Sequence, residues 1–183
     1  SNGGTGIGIA ADASVVVDHV RSEQNKFDGF YIVPGTTQAR SALTDSLFAQ
    51  NGGNGISVDS ASGASTTADV ERSTLSDNAA NGLIVFGNAG VASVAIAHSA
   101  INNNAAAGAA AVSNLHLTDV TISYNTFVDN GVGISADGSR AEIWVHANSV
   151  ASGARTTDFK QANGAVFFSY KDNVGTIGTS GTI

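Results

Sequence analysis

Short apolar runs, in which apolar and polar positions alternate, recur along the chain at a fixed spacing. Leu75, Ile101 and Phe127 are 26 residues apart, and each lies in such a run. Four further columns keep the same step: Val70, Ile96 and Ile122; Ala68, Val94 and Val120; Asn78, Asn104 and Asn130; Ser73, Ser99 and Asn125. A repeat of this length, with Gly and Asn between strand-like runs, is typical of a β-solenoid. Each coil of a solenoid buries its apolar side on the next coil.

Each coil is predicted to begin its first strand after a glycine. These glycines are Gly6, Gly29, Gly55, Gly82, Gly108, Gly133 and Gly164. Alternation then places one set of side chains inside the coil and the next set outside. The inward set is Phe30, Ile56, Leu83, Ala109, Ile134 and Ala165, and the outward set is Tyr31, Ser57, Ile84, Ala110, Ser135 and Val166. A second strand follows in each coil, so the sequence predicts an all-β, single-stranded parallel β-helix of about six to seven coils.

A column of asparagines is predicted to close each coil. Asn51, Asn78, Asn104 and Asn130 each precede a strand-starting glycine by a few residues. Asparagine tolerates left-handed backbone, and its amide can bond to turn backbone or to the asparagine of the next coil. We interpret this column as a structural ladder. Spacing assigns Asp18 to a second polar column, with Asp45, Ser73, Ser99, Asn125 and Asn148.

The repeat covers nearly the whole chain, which predicts one domain over residues 1–183. Because the chain begins within a coil pattern, we expect further coils or a cap to have preceded Ser1. The pattern fades at the other end, where residues 175–183 are expected to form a cap or a frayed end. The spacing breaks between Gly133 and Gly164, and the excess over residues 151–162 is predicted to be a loop. This loop would carry Arg155, Asp158, Phe159 and Lys160.

Charge and composition exclude several partners. The formal net charge is −7, whereas nucleic-acid binders carry a basic stripe. No run of about 18 apolar residues is present, so no membrane-spanning helix is expected. Cysteine is absent, and no motif suggests a cofactor. The four histidines, His19, His98, His116 and His146, lie on different coils, so no metal site is predicted.

The coil pattern resembles the right-handed parallel β-helix proteins of the pectate-lyase-like superfamily. The resemblance rests on the hydrophobic-x-hydrophobic-x-x-[Asn/Ser] runs, the asparagine column and the Gly-Ile-x-Val strands, and it covers nearly the whole chain. More narrowly, the chain is similar to bacterial secreted or envelope β-helix proteins, whose final coil often reads like residues 168–173 here. This resemblance implies a right-handed helix and a secreted or envelope location. It does not imply one activity, because the superfamily includes lyases, hydrolases, epimerases, tail fibres and adhesins.

The catalytic motifs of these relatives are incomplete in this chain. Val17-Asp18-His19 resembles part of a pectate-lyase motif, but the preceding Trp and an Arg-x-Pro-x-x-Arg partner are missing, since the only proline is Pro34. The Gly-His-Gly and Arg-x-Lys strings of galacturonase-like members and the Asp-Pro-His of epimerases are also absent. Asp69 and Glu71 share one side of a strand, but spacing places Ala, Thr and Ser beside them on neighbouring coils. No catalytic residue is therefore predicted.

A column of side chains on the second strand and its following corner is the candidate binding surface. Arg72, His98 and Tyr124 are one coil apart, and Trp144 and His146 follow one coil later, facing outward by alternation. Exposed aromatic rings stack on sugar rings, and polar neighbours bond their hydroxyls. The alternative is that Trp144 packs beneath residues 151–162 and that the remaining side chains are ordinary surface.

The sequence thus favours a non-catalytic secreted or envelope module that binds polysaccharide or another surface. Two alternatives stay open. The chain could be part of a polysaccharide lyase or hydrolase, or a structural rod. A rod would self-associate through coil ends or an exposed apolar face, which predicts association that depends on concentration.

Overall fold

Residues 3–87, 89–151 and 157–175 are described by a computed structural model, in which they form twenty β-strands and no helix. The first sheet contains β1 (Ile7–Ala10), β4 (Phe30–Val33), β7 (Ile56–Val58), β10 (Leu83–Phe86), β13 (Ala107–Val112), β16 (Val132–Asp137) and β19 (Thr157–Ala162). The second contains β2 (Ser14–Asp18), β5 (Gln38–Thr44), β8 (Ser65–Glu71), β11 (Val91–Ala97), β14 (Thr118–Ser123), β17 (Ala141–His146) and β20 (Val166–Ser169). The third contains β3 (Arg21–Glu23), β6 (Leu47–Ala49), β9 (Thr74–Ser76), β12 (Ala100–Asn102), β15 (Thr126–Val128) and β18 (Ser149–Ala151).

Every third strand pairs in parallel, so that three consecutive strands make one turn of a solenoid. The register follows the sequence repeat: Leu83 lies beside Ala109 in the first sheet, and Ile96 lies beside Ile122 in the second. These parallel sheets confirm the predicted β-solenoid with a period of about 26 residues. None of the described residues belongs to a helix that is long and apolar enough to cross a membrane.

The core lies inside the coils, where the inward side chains of all three sheets meet. Phe30, Phe48 and Phe127 are fully buried there, together with the leucines and isoleucines of the repeating columns. The predicted alternation is confirmed in the middle coils, where Leu83 and Val85 are fully buried. Full burial of one such side chain contributes about 1.5–3 kcal/mol.

The last coil differs from its prediction. Residues 157–162 are not a loop but strand β19 of the first sheet, with Phe159 beside Ile134. Phe159 is buried in the core, and Asp158 is buried next to it. The segment after Gly164, predicted as a first-sheet strand, instead forms β20 of the second sheet. Little in the sequence indicates this strand, because its residues up to Gln161 are polar except for one inward aromatic residue, Phe159. Arg155 and residues 176–183 lie outside the described residues.

Two corners of each coil are made by one residue with a positive φ. At the corners named below a buried polar residue follows it, except after His19, where Val20 follows. The corner between the second and third sheets has its positive φ at His19, Asp45, Arg72, His98, Tyr124 and Ala147. The corner after the third sheet has its positive φ at Gln24, Gln50, Asp77, Asn103 and Asp129. A left-handed residue bends the chain from one sheet into the next. Its own side chain points to solvent, and the side chain of the following residue points inward.

The inward residue after each left-handed one belongs to a hydrogen-bonded ladder. At the second corner the side-chain amide of Asn51 donates to Asn78 (2.9 Å), Asn78 donates to Asn104 (2.9 Å), and Asn104 donates to Asn130 (2.9 Å). Asn25 continues the ladder to the first coil. At the first corner Ser46, Ser73, Ser99, Asn125 and Asn148 form a second ladder.

The predicted column position was wrong by two residues for Asp18 and by one residue for Asp45. Asp18 lies beside Thr44, and both are the last outward residues of their strands. Asp45 is the left-handed residue that follows, in line with His19 and Arg72. The buried ladder position in the first coil is instead held by Val20, whose backbone N–H donates to Ser46 Oγ (3.0 Å). Asp18 is the last outward residue of its strand, Asp45 is a corner residue and Ser73 is a ladder residue. These three positions follow one another directly in each coil, so spacing alone does not distinguish them.

Asp12 links the first coil to the second through hydrogen bonds, and it is expected to make the free energy of unfolding depend on pH. Its carboxylate accepts hydrogen bonds from the backbone N–H groups of Gly35, Thr36, Thr37 and Gln38. Led by the bond from Thr37, they lower the pKa of Asp12 from 3.8 to about 2. Because the folded-state pKa is the lower one, the contribution is complete above the unfolded value and is lost as pH falls through about 2.

Urea unfolding between about pH 2 and about pH 5 measures this effect. We expect the unfolding midpoint of the Asp12→Asn variant to depend less on pH in that range than the midpoint of the unchanged protein. The Asp129→Asn variant, which alters an exposed carboxylate at the second corner, serves as the control and should keep the full dependence. If the midpoints of the Asp12 variant and the unchanged protein depended equally on pH, Asp12 would not be the carboxylate that stabilises the protein in this range.

Candidate functional site

The corner between the second and third sheets carries most of the chemically distinctive side chains of the described residues. Two positions of each coil point outward there, the last outward residue of the second-sheet strand and the left-handed residue near its end. We call this line of side chains the corner strip. Its members are Asp18, His19, Thr44, Asp45, Glu71, Arg72, Ala97, His98, Ser123, Tyr124, His146, Ala147 and Tyr170.

The first three coils make up the charged half of the strip. Arg72 donates to both oxygens of Asp45 from Nε (3.0 Å) and Nη2 (2.8 Å), and its Nη1 lies 2.9 Å from Glu71. Asp18 accepts a hydrogen bond from the Thr44 hydroxyl (2.7 Å) and lies 2.9 Å from His19 Nδ1. Three carboxylates in this half therefore share one guanidinium and one imidazole.

These contacts shift the titration of the charged half. The Thr44 hydroxyl and then His19 lower the pKa of the Asp18 carboxyl, and the Arg72 guanidinium lowers the pKa of Asp45. The Asp18 carboxylate raises the pKa of His19. One ligand atom each of Asp18, His19 and Asp45 lies within 4.8 Å of the other two, a spacing that could hold a cation. Arg72 already contacts both oxygens of Asp45, so a cation at this group would compete with the guanidinium for that carboxylate.

The next four coils make up the aromatic half of the strip. The rings of His98 and Tyr124 stack with centroids 5.1 Å apart and planes at 2°. His146 meets Tyr124 edge to face at 4.9 Å, and Tyr170 meets His146 edge to face at 5.4 Å. Four rings from four successive coils thus form one continuous ladder. Tyr124 is 52% exposed and Tyr170 is 68% exposed, so the ladder is open to a ligand.

His146 is the best-fixed member of the ladder. Its Nε2 lies 2.8 Å from the Tyr124 hydroxyl, and its Nδ1 lies 2.5 Å from Asp172 Oδ2. The second contact is close, but its angle is not that of a regular hydrogen bond, and Nδ1 is shielded from solvent. Asp172 is itself held by the backbone N–H of Ala147, 3.0 Å from Oδ1. The result is a chain of three polar side chains that runs from a carboxylate through an imidazole to a phenol.

Trp144 lies next to this ladder on the outer face of the second sheet. It is half-buried and stacks on Phe168, with centroids 4.0 Å apart and planes at 16°. A shallow cavity of about 270 Å³ is lined by Trp144, Phe167, Phe168, Ser169 and Tyr170. On its other side Trp144 borders Thr121, and beyond it Ala95. The tryptophan therefore forms the wall at one end of a row of small side chains.

The structure groups the five predicted binding residues differently from the sequence. His98, Tyr124 and His146 lie in one chain of contacts. Arg72 belongs to the charged half, where it contacts Asp45 and Glu71. Trp144 lies in the neighbouring row and contacts Phe168. Asp69 and Glu71 lie beside Ala95 and Ala97, as the spacing predicts.

Sequence reasoning missed Phe168, Tyr170 and Asp172 because it placed the last coil in the wrong sheet. A signal for two of them exists. Trp144 and His146 are an aromatic pair separated by one residue, and Phe168 and Tyr170 repeat the pair 24 residues later. That short step matches the register of β17 with β20. No comparable signal exists for Asp172, since its contact with His146 depends on the path of the chain after β20.

A second cavity lies on the outer face of the first sheet. It has a volume of about 360 Å³, and its lining includes Ile84, Ala110, Val112, Val132 and Lys160. Although Ile84 and Ala110 face outward, both are buried, which shows that neighbouring side chains form walls around them. This cavity is largely apolar and lies on a different sheet from the corner strip.

The sequence places this solenoid in a known family. The family profile described as "Right handed beta helix region" matches residues 2–150. The chain belongs to the right-handed β-helix family. Comparison with curated proteins and with solved structures gives no match. Members of a fold family differ in function, so membership establishes the fold and leaves the activity to be argued from the site.

Proposed function

We propose that this right-handed β-helix protein is a non-catalytic module that binds polysaccharide along the aromatic half of the corner strip. One observation carries the proposal, namely that aromatic side chains from four successive coils form one exposed ladder. Trp144 and Phe168 widen the surface by a second stacked pair. Core packing does not account for such a ladder, because Tyr124 and Tyr170 are more than half exposed.

The spacing of the ladder suits a linear polymer of sugars. Neighbouring coils of a β-solenoid are about 4.8 Å apart, which is close to the advance of one ring in an extended polysaccharide. Because neighbouring rings of the ladder cover one another's faces, a sugar chain along the rod would meet their exposed edges and the phenol and imidazole groups that bond its hydroxyls. A chain running along the rod could thus meet one aromatic contact on each of several coils. A secreted or envelope location, where such polymers occur, is part of this proposal.

The charged half of the strip favours a second candidate function, a polysaccharide lyase or hydrolase. Acidic and basic groups from three adjacent coils do meet there, as an active site of this kind requires. Against this, both oxygens of Asp45 are engaged by Arg72, and Thr44 and His19 both contact Oδ1 of Asp18, so an acid–base pair would have only the other Asp18 oxygen to draw on. A carboxylate that acts on substrate needs a free oxygen at the reacting atom. We therefore place this candidate second.

Binding and turnover on one panel of neutral and acidic polysaccharides test the proposal, with and without Ca²⁺. We expect binding without release of reducing ends or unsaturated products. Trp144→Ala and Tyr170→Ala should each weaken binding by about fivefold, since an aromatic contact contributes about 1 kcal/mol. Phe27→Ala, which removes an exposed ring that is not part of the corner strip, is the matched control and should bind normally.

The other outcomes point elsewhere. Product formation that is abolished by Asp18→Asn would establish the enzyme and overturn the non-catalytic module. Equal loss of binding in the Phe27 control and in the Tyr170 variant would show that the aromatic half is not the site. Absence of both binding and turnover would leave the self-associating rod as the account to test, by sedimentation over a range of concentrations.

A further inference from the structure

We infer that the Asp172–His146–Tyr124 chain sets the ligand class of the corner strip, selecting uncharged glycans until protonation of His146 admits anionic ones. This inference rests on the proposed function, and it concerns the same aromatic half. The inference follows from the positions of the protons on the three linked side chains, Asp172, His146 and Tyr124. None of the sequence patterns indicated it, because Asp172 was not recognised as part of the site.

The proton of neutral His146 belongs on Nδ1. That nitrogen is shielded from solvent and lies 2.5 Å from a carboxylate oxygen of Asp172. An unprotonated Nδ1 would place its negative lone-pair density next to a negatively charged oxygen, which is unfavourable at this distance whatever the angle. A protonated Nδ1 makes the contact attractive even with a bent angle. The Ala147 N–H holds Asp172 in place, so the carboxylate fixes the tautomer of the ring.

This tautomer fixes the direction of the next hydrogen bond. With the proton on Nδ1, Nε2 can only accept, and the Tyr124 hydroxyl must donate to it across 2.8 Å. The phenol oxygen then offers only lone pairs to a ligand. A sugar hydroxyl can donate to them. A carboxylate or sulfate cannot, and it would also be repelled by Asp172 and Glu71, which flank the ladder.

Protonation of His146 reverses the bond. A proton taken from solvent by Nε2 makes it a donor to the phenol oxygen, so the Tyr124 O–H becomes free to donate to a ligand. The ring gains a positive charge that is partly offset by Asp172. The titratable groups that contact it are Tyr124 on the preceding coil and Tyr170 and Asp172 on the following one, and Lys171 lies between the last two in the sequence. His98 stacks behind Tyr124, and Glu71 lies behind His98. An anionic glycan then meets a donor and a cation where it previously met acceptors and carboxylates.

Two oligosaccharides with one backbone test this inference, cellohexaose and its C6-oxidised hexauronate. Affinities are measured at about pH 5 and about pH 8 at constant ionic strength. We expect the hexauronate to bind at least about tenfold more tightly at the lower pH, and cellohexaose to change by less than about twofold. His146→Gln should abolish the pH dependence for the hexauronate, and Tyr124→Phe, which removes the donor but leaves the imidazolium charge, should reduce it. His19→Asn, in the charged half, should keep it.

A measurement on the unchanged protein avoids any effect of substitution on folding. The ¹⁵N shifts of the His146 imidazole at about pH 8 are expected to show the proton on Nδ1, and a proton on Nε2 would overturn the inference. Loss of the pH dependence in His98→Asn but not in His146→Gln would overturn it too. So would tight hexauronate binding at both pH values, which leaves the proposed function intact. Failure of both oligosaccharides to bind at either pH would overturn the proposed function, and the ligand class with it.

Discussion

The Gly82→Ala variant is expected to lose about 3–4 kcal/mol of its free energy of unfolding. A Cβ on Gly82 would lie 2.6 Å from the Gly108 carbonyl oxygen, 2.7 Å from Ile101 Cγ2 and 3.0 Å from Asn104 Nδ2. The first contact is with the backbone of the next coil, and the others are with the core and the asparagine ladder. None of these groups can move without disturbing the stacking of the coils.

Gly8→Ala is the matched control for this prediction. Gly8 lies in a first-sheet strand, β1, whereas Gly82 directly precedes one, and a Cβ on Gly8 would meet nothing within 4 Å. Its stability should change by less than about 0.5 kcal/mol, because neither packing nor a positive φ opposes alanine. Urea unfolding followed by far-ultraviolet circular dichroism measures both variants. Equal stabilities for the two would show that coil packing at Gly82 is looser than described.

The Asn104→Ala variant is expected to lose about 3 kcal/mol. Asn104 Oδ1 accepts from both the backbone N–H and the side-chain amide of Asn78, and its own amide donates to Leu75 O and Asn130 Oδ1. The side chain is almost fully buried. Alanine would leave several buried donors and acceptors without partners. The cost of each unsatisfied group exceeds the gain from an ordinary hydrogen bond, which explains the size of the effect.

Asn103→Gly is the matched control for the ladder. Asn103 precedes Asn104, has a φ of 56° and bonds only the exposed carboxylate of Asp77 with its amide (2.7 Å). Glycine accepts the left-handed backbone, so the change should cost less than about 0.5 kcal/mol. A loss of similar size in both variants, measured by urea unfolding, would mean that the turn rather than the ladder determines stability at this corner.

The sequence was sufficient to predict the fold wherever the repeat is regular. Leu75, Ile101 and Phe127 occupy one buried column because each coil repeats the same inward positions, and their spacing survives in the register. The last coil escaped prediction because its step is shorter and only Phe159 marks its first strand. A period can be read only where consecutive coils share both length and chemistry.

The candidate site was predictable in part. Spacing brought His98 and Tyr124 together, since both are the left-handed residue of their coil. Spacing could not show that Arg72 turns toward Asp45, or that Trp144 pairs with Phe168, because rotamers and partners depend on three-dimensional packing. Asp172 lies after the last strand, where no repeat defines a position. Contacts at the end of a solenoid therefore cannot be predicted from the sequence repeat alone.

The binding surface itself can be located by one measurement. Backbone amide shifts of the ¹⁵N-labelled protein, followed during titration with cellohexaose at neutral pH, report which coils meet the ligand. The account predicts changes centred on His98, Tyr124, the segment from Trp144 to Ala147, and the segment from Phe168 to Asp172. Changes centred on the first-sheet cavity around Ile84 and Lys160, or no changes at saturating ligand, would contradict it.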